Sequence, residues 1–355
     1  MITMQRGYAA LAVAGLLIST AGCGGGGSSN GSNSGPYKSV FRELPIPVAG
    51  NDPTATPSGS WPDDLRTDAN SNVWFAQHHS NEIGKMTASG VYVGYKVPTA
   101  SSLMDGIVVD QTRKVVWASE TNANKLARVD MTTGAVTELS LPTPNAVPGD
   151  LVLAPDGTIW FTEGYEGGTA KGKIAQLNPD TNTITEFTPP NIPSGCDGIA
   201  VAASGAIWFV ENNDNNIACY FQGKFLTFPL PRPGVNPTNI ALDSKGLVWV
   251  TEQYGNALAV FDVVKNTWKE VPIPNLSGQP SGIAIDAHDN VWFTEFGPGK
   301  IGVLPAGSSA ITDFLIPTPN SGPEDIAIAA DGSVYFTEQY GNNIGQITVP
   351  GLTIR

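Results

Sequence analysis

Apolar residues in this chain come in short unbroken blocks rather than in alternation, and the blocks recur. They read VWFAQ around Trp74, VWASE around Trp117, IWFTE around Trp160, IWFVE around Trp208, VWVTE around Trp249, VWFTE around Trp292 and VYFTE around Tyr335. Successive aromatic centres stand 43, 43, 48, 41, 43 and 43 residues apart. A run apolar at consecutive positions suits a strand buried on both faces. A period in the forties that encodes only strands and turns is the signature of a propeller blade.

Each repeat divides into four strands. In the sixth, Gly282-Ile283-Ala284-Ile285 leads through the polar turn at 286–290 to the aromatic strand. A third strand follows at 300–304, and a fourth at 311–316 ends before Pro317. The seventh repeat supplies only three strands, near 325–330, 333–338 and 343–348. Its missing fourth lies at the other end of the chain, VFRELPI at 40–46, which matches fourth strands such as AVTELSL at 135–141. The expected fold is therefore all-β, a seven-bladed β-propeller with four antiparallel strands per blade. The N-terminal strand completes the last blade and limits exposed edges.

The first 23 residues change the picture of where this domain works. Arg6 precedes an apolar stretch at 11–18, too short to span a bilayer, which ends in Ser19-Thr20-Ala21-Gly22-Cys23. Small residues before a Cys resemble the lipobox of bacterial lipoproteins, although Thr20 stands where Leu is usual. The chain is read as 1–23 signal peptide with Cys23 as lipid anchor, 24–36 Gly/Ser/Asn tether, and 37–355 propeller. Export to the bacterial cell envelope, periplasmic or outer-membrane associated, follows from that reading, as a monomer held to the membrane by lipid alone. The tether lacks apolar side chains and cannot pack a core. Charged residues make up only 14% and the net charge is −13, which argues against nucleic acid and against docking on anionic lipid. A neutral or cationic small molecule, an extracellular partner or a metal ion fits better.

Candidate chemistry gathers on the face where second strands end and first strands begin. Second strands end in Gln77, Glu120, Glu163, Glu211, Glu252, Glu295 and Glu338; first strands start with Asp63, Asp105, Asp150, Asp197, Asn239, Ser281, Glu324 and Asp325. Gln77, Glu120, Asp105, Asp197, Ser281 and Glu295 are the candidate ligand contacts on a face expected to be acidic around the axis. A residue repeated in six blades of seven also fits a structural duty, with function left to two or three members. His78 is the candidate base on this face, while His288 belongs to a turn on the opposite one. Tyr165, Tyr254 and Tyr340 each follow a ring Glu by two positions and either line the opening or pack its rim. The loop after Glu163 is five residues longer than its counterparts and could cover the site. Cys196 and Cys219, one strand apart, are expected about 9–10 Å from each other, too far for a disulfide.

The repeat P-x-G-I … [VI]WFTE-x-x-x-N-x-I, seen in Pro280-Ser281-Gly282-Ile283, in Val291–Glu295 and in YFTEQYGNNI at 335–344, resembles the virginiamycin B lyase (streptogramin lyase) family over about 37–350. The resemblance implies a Mg²⁺-dependent elimination that opens a cyclic depsipeptide, with a His as base. It places one metal carboxylate on Glu338 and keeps the family's Gln-His as Gln77-His78. The family's Glu-Pro-His is replaced by Gly322-Pro323-Glu324, and a substrate-contacting His by Ser281. Glu324 would have to serve as base, and carboxylates there would suit Mg²⁺ or Ca²⁺. The sequence thus favours a binding propeller. A metal-dependent carbon–oxygen lyase and a lactonase-like hydrolase remain the alternatives.

Overall fold

The computed structural model describes residues 37–47, 59–164, 172–190 and 195–352. The signal peptide, Cys23, the tether and most of the long loop after Glu163, with Tyr165, lie outside them. The described residues form seven four-stranded antiparallel sheets, which are blades 1 to 7 at 62–96, 104–140, 148–187, 196–229, 237–272, 280–315 and 323–348. The strand Val40–Pro45 pairs with Asn343–Thr348, from Val40 opposite Thr348 to Pro45 opposite Asn343, and so completes blade 7. Phe41 meets the ring of Phe336 edge-on, and Leu44 and Ile46 are buried. Among the described residues no helix is long and apolar enough to cross a membrane.

Second strands such as Val291–Glu295 are buried at every position, as their unbroken apolar pattern requires. In blades 1, 5 and 6 the tryptophan is held by the preceding turn: the indole N–H of Trp74 donates to Asp68 at 3.0 Å, that of Trp249 to Asp243 at 3.2 Å and that of Trp292 to Asp286 at 3.1 Å. Buried indoles usually find such a partner, whereas among the described residues the Trp117 indole N–H in blade 2 has none. In blades 1, 6 and 7 the Phe that follows the aromatic centre lies over a glycine of the third strand; a Cβ on Gly345 would come within 2.1 Å of the Phe336 ring.

Every first strand carries a β-bulge near its start. The register slips between Pro62 and Leu65, between Pro280 and Ile283, and at the matching place in the other five blades. Two residues of each first strand therefore oppose one residue of the second, and their N–H groups lose part of the ladder. In blades 2, 5, 6 and 7 the hydroxyl before the ring Glu repairs the loss. Ser119 accepts from Gly106 N–H at 2.8 Å, Thr294 from Gly282 N–H at 2.9 Å and Thr337 from Asp325 N–H at 3.0 Å. This is the physical reason for the Thr or Ser in the repeated block. The bulges aim their side chains at the propeller axis, and they carry the candidate site.

Candidate functional site

The second bulge residues around the axis are Asp64, Gly106, Asp150, Gly198, Asn239, Gly282 and Asp325. Large and small residues alternate because neighbouring first strands nearly touch. A Cβ on Gly106 would lie 2.6 Å from Asp150 Cα, and one on Gly282 would lie 2.6 Å from Asp325 Cα. Seven is odd, so the alternation fails once, between Asp325 of blade 7 and Asp64 of blade 1.

Arg66 fills this junction. Its guanidinium donates to Asp325 at 2.8 Å and to Asp150 at 3.0 Å, joining blades 1, 7 and 3. Asp325 also accepts from Leu65 N–H at 3.0 Å. Burial opposes the charge on Arg66, but Asp150, Asp325 and Asp64 outweigh it and hold the guanidinium above its usual value. Burial, then Asp150 and Asp325, push the Asp64 carboxyl well up, with Arg66 opposing and Asp105 adding to the rise. Asp63, Asp64 and Asp105 bring one oxygen each within 4.8 Å of one another. At an effective dielectric constant of 20, two like unit charges that far apart repel by about 3–4 kcal/mol.

Beside this cluster, where blades 6, 7 and 1 meet, stands an aromatic wall. Trp61 stacks on His79 with centroids 4.2 Å apart and meets Tyr340 edge-on at 5.6 Å, and Tyr340 in turn meets Phe296 at 5.4 Å. Backbone bonds pin the wall, with His78 N–H donating to Trp61 O and Tyr340 N–H to Ser321 O. Near Tyr340, whose hydroxyl is pushed up by burial and by Glu324, Ser281 Oγ donates to Glu324 Oε1 at 2.6 Å. His78 Nδ1 sits 3.1 Å from Met104 O and 3.6 Å from Asp63. An imidazole that donates from Nδ1 is an acceptor at Nε2, the form a general base takes.

The predicted ring of Gln and Glu stands elsewhere than on an open acidic face. Gln77, Glu120, Glu163, Glu211, Glu252, Glu295 and Glu338 are all at most 2% exposed. They turn toward the outer strands of their own blades and the loop arriving from the previous blade. Gln77 donates to the Tyr92 hydroxyl, and Glu295 accepts from Asn275 of blade 5. Burial first, with Glu138 adding to the rise, pushes Glu120 to about 7. The neighbouring outer-strand acids clasp adjacent blades. Glu138 accepts from Thr99 N–H of blade 1 at 2.6 Å and from Lys125 at 2.6 Å, and Glu43 accepts from Thr318 N–H of blade 6 at 2.9 Å. The ring is thus blade-to-blade architecture, as its repetition in six blades allowed.

The other predicted residues divide. Asp105, Ser281 and Glu324 are buried bulge residues at the axial opening, and Asp197 is the half-buried bulge residue of blade 4. Sequence reasoning missed Asp64 and Arg66. The available signal was in the first blade, where PDDLRT has Asp for the Gly, and Arg for the Ala, of PSGIAI in the sixth.

The family's metal pair does not fit here. Burial, with Glu43 alongside, pushes the Glu338 carboxyl to about 8. At the other metal position, Gly322 has φ +58°, and a Cβ there would lie 2.8 Å from the Tyr340 ring. Aromatic side chain stands where a second carboxylate would have to enter.

The virginiamycin B lyase family model matches residues 52–256 and 167–354. A streptogramin B lyase structure is 28% identical with a TM-score of 0.78, covering 88% of this chain and 98% of that one. A catalytically inactive histidine-to-alanine variant of virginiamycin B lyase from Staphylococcus aureus, with quinupristin, is 26% identical at TM-score 0.78 and covers 88% and 99%. A gluconolactonase from Xanthomonas campestris, 14% identical at TM-score 0.55 over 90% and 91% of the chains, shares the fold alone. No curated protein sequence matches significantly. The chain belongs to the virginiamycin B lyase family.

Proposed function

We propose that this protein is a ligand-binding member of its family that has given up the metal-dependent elimination, and that it works in the cell envelope on a lipid anchor at Cys23. Its ligand is a small molecule that lays a planar or apolar group on Trp61 and Tyr340. Ser281 and Glu324 take a hydroxyl, amine or cationic group beneath. The single observation that carries this reading is Tyr340 standing against Gly322. The ring that blocks the second metal carboxylate also builds the aromatic wall, so one substitution pattern removes catalysis and creates a stacking surface. The net charge of −13 supports a neutral or cationic ligand.

Losing a positioned base costs about 10²- to 10⁴-fold in rate, and losing metal polarisation costs more. Quinupristin is the informative probe, because the relative's structure contains it. With Mg²⁺ present, its mass is expected to stay unchanged over hours. Titration is expected to show saturable binding that Tyr340→Ala weakens at least fivefold. Rapid ring opening that disappears in Glu338→Ala would overturn this reading in favour of the lyase, with Glu324 and His78 as the bases to test.

A further inference from the structure

We propose that the axial carboxylates Asp63, Asp64 and Asp105 form a Ca²⁺ site, separate from the Glu338 position to which the family resemblance assigns its metal. Three oxygens, one from each residue and from two adjacent blades, lie within 4.8 Å of one another. Ca²⁺ accepts oxygen ligands at about 2.3–2.6 Å in flexible geometry, which suits carboxylates drawn from two blades better than the near-ideal octahedron that Mg²⁺ demands. All three side chains are more than nine-tenths buried, with Asp63 2%, Asp64 8% and Asp105 7% exposed.

A second observation separates this cluster from an ordinary acidic patch. Among the described residues the Asp64 carboxylate, 8% exposed, makes no hydrogen bond and no ion pair within 4.0 Å. Arg66 is the nearest positive charge in its surroundings, and it is already engaged by Asp150 and Asp325. A buried carboxylate without a donor is costly. The neighbours that Asp64 does have in reach are further carboxylates. Oxygen donors without sulfur or nitrogen suit a hard cation, and remaining coordination positions face the axial opening, where water or a ligand oxygen completes the shell. The site goes beyond the ligand-binding reading and stands whether or not quinupristin binds.

Calorimetry of the full chain, freed of metal with EDTA and titrated with calcium chloride, tests it. One saturable site is expected in the submillimolar range. Asp64→Asn and Asp105→Asn should each weaken it at least tenfold, while Glu338→Gln leaves it within twofold. Both Asn variants relieve like-charge crowding, so without Ca²⁺ they should melt at or above the wild-type temperature, and Ca²⁺ should raise the melting temperature of the wild type only. No saturable heat with the wild type, or a dissociation constant unchanged by Asp105→Asn, would overturn the site.

Discussion

The Tyr340 ring stands 2.8 Å from where a Cβ on Gly322 would point. Gly322 stands just before the first strand of the last blade and Tyr340 in the turn after its second, so the ring crowds the position where the family resemblance puts a second metal carboxylate. Gly322 occupies the backbone position that Trp61, Leu103 and Gln279 fill in other blades, all with positive φ. Backbone conformation there tolerates a side chain, so the aromatic neighbour, rather than the turn, excludes one.

The Glu338 carboxyl makes stability fall as pH rises. Burial and Glu43 raise it to about 8 when folded, against an ordinary value of 4.5. The folded state therefore binds the extra proton, and its contribution, complete below about 4.5, is lost as pH climbs to about 8. Glu163, raised to about 8 by burial and then Glu186, acts in the same sense. Melting temperature is expected to drop between pH 5.5 and 8.5. Glu338→Gln should flatten that slope, by an amount on the order of 2–4 kcal/mol at the alkaline end. Parallel melting curves for variant and wild type across this range would count against the buried, protonated Glu338.

Arg66→Met should destabilise the fold by about 3–5 kcal/mol, because it leaves Asp150 and Asp325 buried without their cation. Chemical denaturation reads the loss directly. Pairing it with Asp325→Asn should recover part of it, since the second change removes one of the stranded charges. A single Arg66→Met variant as stable as wild type would show that the junction of blades 7 and 1 does not depend on this ion pair.

Deleting residues 36–47 removes the outer strand of blade 7, with six paired positions and the Glu43 clasp to Thr318. The three remaining strands keep an unpaired edge at Asn343–Thr348. A melting temperature lower by ten degrees or more, or aggregation on light scattering, is expected. An unchanged midpoint would mean that the ring closes without this strand.

Cys23→Ser should move the protein from the membrane fraction to the soluble fraction, since the lipid on Cys23 is the proposed anchor. Fractionation and immunoblotting of cells expressing each form decide it. Continued membrane association of the variant would defeat the lipoprotein reading.

Much of this molecule is written locally. The repeat of the aromatic block determined seven blades, because a strand between two sheets must be apolar on both faces. The orphan strand at 40–46 determined the closure, because three strands at one end and one at the other complete a single sheet. The family, too, was legible in PSGI and WFTE. What the tertiary structure alone decided is which carboxylates face the axis. Glu120, Glu295 and Glu338 share one place in the repeat with one another, and that place turns out to lie between blades, where burial raises their carboxyls to about 7, 7 and 8. The bulge that aims Asp63, Asp64 and Asp105 inward leaves no mark in a hydrophobic pattern, since it adds one residue without breaking the apolar run. The failure of alternation between Asp325 and Asp64, and the Arg66 that answers it, arise only when blade 7 meets blade 1. That contact joins residues about 260 positions apart, and close packing around an odd-numbered ring creates it.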